Sequence, residues 1–123
     1  MKQLLLVFVG GGVGSVLRFL VGKLLNPAIT NFPLGTFVVN VLGSLFIGLI
    51  IGIASKNQIL SQNYTLLLAT GFCGGFTTFS SFAFENQQLL ASDNLLSFIF
   101  YTLASLVVGF LAVFAGLYIV KLA

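Results

Sequence analysis

The chain has 123 residues, of which 59% are hydrophobic and only 6% are charged, whereas soluble domains carry about 25% charged residues. Its net charge of +3 is spread along the sequence, with no basic cluster that would indicate nucleic acid as a partner. The single cysteine excludes an internal disulfide and any multi-cysteine metal site. This composition predicts an all-α membrane protein, and the length allows four membrane helices of about 20 apolar residues with short connections.

The first predicted helix spans residues 3–25. Gly10, Gly14, Arg18 and Gly22 recur every four residues along it, and small residues at this spacing let a second helix approach closely. We therefore expect the glycines to form a packing face. The arginine lies far enough inside the apolar stretch to leave two interpretations open: it faces the protein interior or water, or it snorkels to the nearer membrane surface.

Residues 26–33 form a predicted loop, and the second helix spans residues 34–55. Polar and then small residues recur every four positions along this helix: Thr36, Asn40, Ser44, Gly48 and Gly52. Asn40 lies about a turn and a half inside the helix, where its amide requires a hydrogen-bond partner. The sequence leaves open whether this amide joins two helices or lines a permeation path.

The third predicted helix, residues 64–90, contains the most unusual stretch of the chain. Residues 71–84 read Gly-Phe-Cys-Gly-Gly-Phe-Thr-Thr-Phe-Ser-Ser-Phe-Ala-Phe. Adjacent glycines followed by two threonines weaken a helix. Non-helical backbone at membrane depth occurs only where protein buries it or where it lines a wet cavity. We therefore predict a break near residues 71–78 at mid-membrane, where freed backbone groups can face an ion.

After this predicted break, Phe79 and Phe82 are three residues apart and share a helix face. The edge of an aromatic ring is electropositive, so these rings can contact an anion without repelling it. The fourth predicted helix spans residues 95–121. Tyr101, Ser105 and Gly109 form another stripe of residues at four-residue spacing, which we interpret as a packing face with Tyr101 able to reach the polar path.

The distribution of lysines gives only a weak preference for one orientation in the membrane. Because successive loops alternate sides, Lys2, Lys56 and Lys121 are expected on one side, and Lys23 with Asp93 on the other. Orientation follows the lysine and arginine count in short loops. With so small a difference, the chain can insert either way.

Three motifs in this order carry a resemblance to a known family. They are Gly-Gly-Val-Gly-Ser-Val-Leu-Arg at residues 11–18, Gly-Thr-Phe-Val-Val-Asn-Val-Leu-Gly-Ser at residues 35–44, and the first twelve residues of the stretch beginning at residue 71. Together they resemble the Fluc (CrcB) fluoride channels, and the likeness in length, helix number and motif order covers the whole chain. The family's function implies passive, fluoride-selective export across a bacterial plasma (inner) membrane.

The resemblance also implies an assembly and a set of site residues. The assembly is an antiparallel, dual-topology homodimer in which the two helix breaks cross around a structural Na⁺. Backbone carbonyls of Gly74 and Thr77 from both subunits would bind this ion. Each of two pores would be lined by Phe79 and Phe82 from different subunits. The remaining pore residues implied by the resemblance are Asn40, Ser80, Ser81, Arg18 and, by a looser correspondence, Thr36 and Tyr101.

Other classes of membrane protein fit the sequence less well. Small dual-topology multidrug exporters are similar in size and helix number, but they depend on a glutamate in the first helix and on tryptophans. The first helix here has no acid, and the chain has no tryptophan. A non-transporting membrane subunit has no need of a broken helix beside a polar stripe. The absence of histidine and of a nucleophile–base pair argues against an enzyme.

Overall fold

The structure, a computed structural model, describes residues 1–26, 32–57 and 60–123. Most of the predicted loop 26–33 and two residues of the next connection lie outside the described residues. All regular structure in the described ranges is helical. In chain order it consists of α1 (Lys2–Leu25), α2 (Leu34–Asn57), α3 (Gln62–Thr65), a π-helical segment (Leu66–Cys73), α4 (Gly74–Phe76), α5 (Phe79–Ala91) and α6 (Leu95–Leu122).

These elements form four helical spans that are long and apolar enough to cross a membrane: Lys2–Leu25, Leu34–Lys56, Gln62–Ala91 and Leu95–Leu122. The prediction of an all-helical protein with four membrane-capable helices is therefore confirmed. The third span contains α3, the π-helical segment, α4 and α5, and its mean hydropathy of 1.3 is the lowest of the four. This span carries the polar stretch that the sequence singled out.

Helix α1 packs against the first half of the third span through glycines on both sides. A Cβ added to Gly71 would lie 3.0 Å from the Gly10 Cα, and one added to Gly75 would lie 3.0 Å from the Gly11 Cα. A side chain at Gly14 would meet the backbone of Phe72. The two backbones are thus too close for side chains between them, which confirms the predicted packing face of α1.

Helices α2 and α6 pack side by side and run in the same direction. A Cβ on Gly116 would lie 2.6 Å from the Leu45 carbonyl oxygen, and one on Gly52 would lie 3.1 Å from the Val120 Cβ. At the end of both helices, the Lys56 Nζ donates a 2.9 Å hydrogen bond to the Val120 carbonyl. Lys56 and Lys121 therefore lie at the same end of the bundle, as the alternation of the spans predicted.

The turn between α5 and α6 holds a residue in a left-handed conformation. Asp93 has φ +59°, and its N–H bonds the Leu90 carbonyl while the Asn94 N–H bonds the Leu89 carbonyl. This pattern is a Schellman motif, in which glycine usually occupies the left-handed position because it has no Cβ. The turn reverses the chain so that α6 returns along α5 and α2.

Candidate functional site

The third span is interrupted at two threonines. Thr77 (φ −85°, ψ 159°) and Thr78 (φ −152°, ψ 117°) are extended between α4 and α5. The sequence pointed to a wider region, residues 71–78, but Gly71–Phe76 remains helical. Gly71 and Gly75 pack against the backbone of α1, and tertiary packing of this kind overrides their low helix propensity. The π-helical segment, which contains Gly71, is a rare form that is often found near functional sites.

Asn40 of α2 accepts one hydrogen bond from the backbone at the interruption and donates another to it. Its Oδ1 accepts a 2.8 Å hydrogen bond from the Thr78 N–H, and its Nδ2 donates a 3.2 Å bond to the Thr78 carbonyl. The side-chain amide thus replaces the helical partner that the extended Thr78 N–H lacks, and adds a second donor to the carbonyl. Because a primary amide has two N–H groups, Asn40 retains one further donor. The two roles left open by the sequence are compatible: Asn40 joins two helices and also lines a groove.

Arg18 of α1 bonds the carbonyl at the end of α4. Its Nε donates a 2.9 Å hydrogen bond to the Gly75 carbonyl, and the Ser15 hydroxyl lies 3.5 Å from the same oxygen. In a continuous helix this carbonyl would accept from the Phe79 N–H. The interruption removes that donor, and the guanidinium takes its place. The structure therefore favours the interior position of Arg18 over snorkelling.

Three other carbonyls at the interruption, those of Gly74, Phe76 and Thr77, have lost their helical donors, and two of them matter for the resemblance. The donors in a continuous helix would be the Thr78 N–H for Gly74 and the Ser81 N–H for Thr77. Instead, Thr78 donates to Asn40, and Ser81 donates a 3.1 Å bond to the Thr78 Oγ1, which caps the start of α5. Among the described residues, the carbonyls of Gly74 and Thr77 have no hydrogen-bond donor. They are the two that the resemblance assigns to Na⁺.

A carboxylate on α5 connects three helices. The Thr36 hydroxyl donates a 2.6 Å hydrogen bond to the Glu85 Oε2, and the Tyr101 hydroxyl donates a 2.9 Å bond to its Oε1. Tyr101 is fully buried. The sequence marked Thr36 and Tyr101 as candidates but assigned no role to Glu85. Its position three residues after Phe82, as an acid in an apolar stretch, was the signal that could have identified it.

Two grooves lie on either side of the Asn40–Thr78 link. The first, which we call the central groove, has a volume of about 480 Å³. Its polar and aromatic lining includes Asn40, Ser44, Gly74, Thr77, Phe79, Phe82 and Ser105. The second, the charged groove, has a volume of about 530 Å³. Its lining includes Arg18, Lys23, Thr36, Ser81 and Glu85. Thr78 lines both grooves, so the interruption borders each of them.

The two phenylalanines occupy different environments. Phe82 contacts Tyr101, with ring centroids 5.1 Å apart, and also Phe79 at 5.9 Å. Phe79 is 79% exposed in the single chain and stands at the open side of the central groove. Ser80 is exposed as well, and its hydroxyl lies 3.3 Å from the Thr78 Oγ1. The structure thus brings Asn40, Phe79 and Phe82 together and leaves Ser80 near the surface.

Comparison with known proteins identifies the family. The family model described as "CrcB-like protein, Camphor Resistance (CrcB)" matches residues 5–117. The chain belongs to the CrcB family. This CrcB chain is 52% identical over 122 residues to a protein of Gloeothece citriformis (strain PCC 7424), with 98% of each chain covered. It is 47% identical over 117 residues to a protein of Azobacteroides pseudotrichonymphae, with 94% of each covered, and 47% identical over 119 residues to one of Phocaeicola vulgatus. All three relatives are named "Fluoride-specific ion channel FluC".

Proposed function

We propose that this protein is a fluoride-selective ion channel that passively exports fluoride across a bacterial plasma membrane. The observation that carries the proposal is the 52% identity over 98% of the chain to a protein named a fluoride-specific ion channel. The four apolar spans are in keeping with a membrane protein. A multidrug exporter is not favoured, because the relatives' names describe an ion channel and not a drug transporter.

The groups around the interruption suit a small anion that holds its water tightly. Hydroxyl and amide groups can donate hydrogen bonds that replace water, and Asn40 and Ser105 line the central groove. The Ser105 Oγ is buried without a partner among the described residues, so it has a donor to spare. A series of weak donors and ring edges releases an ion more readily than one tight cage, as conduction requires.

We propose that the conducting unit is an antiparallel dimer. Phe79 is 79% exposed, and a Cβ on Gly74 would meet no atom within 4 Å, so packing within one chain accounts for neither residue. A second, inverted copy over the open side of the central groove would complete the wall that one chain provides. The weak lysine bias allows both orientations. The interruption would then lie near the membrane midplane, where the two copies cross.

The carbonyls of Gly74 and Thr77 fit a structural Na⁺ in such a dimer. Oxygen ligands suit a small hard cation, and both carbonyls lack hydrogen-bond donors because Asn40 and the Thr78 hydroxyl bind the N–H groups concerned. When bound, the cation would offset the repulsion among four carbonyl oxygens, two from each chain. Asn40 and Arg18 would help to keep the backbone non-helical here. They bond the Thr78 N–H and the Gly75 carbonyl, so these groups are not available to form helical hydrogen bonds.

Fluoride efflux from liposomes that contain purified protein tests this proposal. Replacing Phe82 with isoleucine preserves most of the volume but removes the electropositive ring edge, so we expect a large loss of fluoride flux with the protein still folded. Phe84→Ile is the matched control, because Phe84 is 62% exposed on the same helix and lines neither groove. Equal flux in both variants would contradict the assigned role of Phe82.

A further inference from the structure

Two lysines meet where α2 and α6 end. The Lys56 Nζ lies 2.9 Å from the Val120 carbonyl oxygen and 3.5 Å from that of Lys121. The helices come this close because position 52 is glycine, at which a Cβ would lie 3.1 Å from the Val120 Cβ. Both lysine side chains are exposed. Together with Ser55, they border a small groove of about 240 Å³, which we call the basic groove.

An apolar groove of about 530 Å³ runs along α6 from the basic groove. It is lined by Leu111, Phe114, Ala115, Leu117, Tyr118 and Lys121. Leu117 and Lys121 line both grooves, so the two adjoin along these residues. From residue 111 to residue 121 an α-helix rises about 15 Å, which is half of a hydrocarbon core about 30 Å thick. The apolar groove therefore has the depth of one membrane leaflet.

We propose that the two grooves together bind one anionic phospholipid. Its phosphate would lie between Lys56, Lys121 and the Ser55 hydroxyl, and one acyl chain would lie in the apolar groove beside Ala115, where the small side chain leaves room. Basic pockets between membrane helices recognise anionic head groups in this way. Lys56 has three N–H donors, so at least one remains for the phosphate after its bonds to the carbonyls. Those bonds also fix the ammonium over the groove, which lowers the ordering cost of binding.

The proposed lipid site is separate from both grooves at the interruption and does not depend on fluoride transport. Lysines at helix ends often extend to the membrane surface without selecting a lipid. A specific lipid site and a snorkelling lysine differ in selectivity, because a snorkelling lysine accepts any phosphate-bearing lipid. A site built from two ammonium groups favours a lipid with net negative charge over a zwitterionic one with the same chains.

The test is native mass spectrometry of the purified full-length protein with an equimolar mixture of phosphatidylglycerol and phosphatidylcholine that have identical acyl chains. We expect phosphatidylglycerol to be retained preferentially. In the double variant Lys56→Gln/Lys121→Gln, this preference should fall by roughly 30-fold, as expected for the loss of two surface lysines. Lys121→Gln should reduce the preference and Lys2→Gln should not, although both remove one positive charge near a chain end.

A second pair of variants tests the acyl groove. Ala115→Phe should reduce retention of both lipids by filling the groove, whereas Val107→Phe places the same side chain at an exposed position of α6 that lines neither lipid groove and should change nothing. Equal retention of the two lipids by the parent, or equal effects of Lys121→Gln and Lys2→Gln, would overturn the proposal. Thermal stabilisation of the protein by inorganic phosphate alone, equal to that by phosphatidylglycerol, would also overturn the proposal. Dissociation of a dimer by Ala115→Phe would overturn it as well, because the groove would then belong to the contact with a second copy.

Discussion

The double hydrogen bond between Asn40 and Thr78 should hold the interruption in place. Replacing Asn40 with alanine would leave the Thr78 N–H, now bonded at 2.8 Å, without a protein partner inside a membrane-spanning segment. The Thr78 carbonyl loses its 3.2 Å bond from Asn40 but keeps the first intrahelical bond of α5, because Thr78 is the N-cap residue. An unpaired buried polar group costs about 1–3 kcal/mol. The unpaired N–H therefore costs about 1–3 kcal/mol, and water from the central groove brings the value towards the lower end. At about 4 °C per kcal/mol for a chain of this size, the thermal midpoint should fall by at least about 4 °C.

Two further variants make this prediction specific. Asn40→Asp retains an acceptor for the Thr78 N–H but places a carboxylate oxygen beside the Thr78 carbonyl inside an apolar span, so it should destabilise the protein at least as much as alanine does. Ser44→Ala is the control, because the Ser44 hydroxyl bonds the Asn40 carbonyl of its own helix at 2.7 Å and joins no second helix. The midpoint can be measured by size-exclusion chromatography after heating. A midpoint for Asn40→Ala within about 2 °C of both the parent and Ser44→Ala would refute the reasoning.

Three other predictions address separate features. Tyr101→Phe removes a 2.9 Å hydrogen bond to a carboxylate and should lower the free energy of unfolding by about 1.5–3 kcal/mol. Tyr118→Phe, at a 60% exposed residue, should leave the thermal midpoint unchanged. Equal shifts of the midpoint in the two variants would contradict this. Asp93→Gly relieves a left-handed residue at φ +59° and should raise the midpoint by about 4 °C, and a decrease would exclude strain at this turn. Gly74→Val should weaken the proposed dimer, measured by light scattering, while Thr77→Ser leaves it intact, because position 74 has no neighbour among the described residues of its own chain; an unchanged dimer in both would place the interface elsewhere.

The helices could be predicted from the sequence because each is a long apolar segment, and a bilayer requires about 20 such residues per span. The glycine face of α1 was predictable for a similar reason, since its four-residue spacing is visible in the sequence and close packing follows from it. The interruption was located only to residues 71–78. Local propensity marks Gly74 and Gly75 as weak helix formers, but the contact of Gly75 with the backbone of α1 supports the helix there, and the extended backbone falls on the threonines that follow.

The hydrogen-bond pairing at the site could not be read from the sequence. Asn40, Arg18 and Thr36 stood out as polar residues in apolar segments, but their partners lie 38, 57 and 49 residues away in the chain. Such pairs depend on the register between helices, which periodicity does not determine. Glu85 illustrates the difference, because its role becomes visible only when α2 and α6 bring two hydroxyls to its carboxylate.

The most direct test of the central claim is the flux of fluoride against chloride through the purified protein. Liposomes loaded with potassium fluoride or potassium chloride, with a potassium ionophore to balance charge, should release fluoride rapidly without ATP or a proton gradient. Chloride release should match that of protein-free liposomes. Chloride flux equal to fluoride flux, or fluoride release no faster than from empty liposomes, would contradict the account of this protein as a fluoride channel.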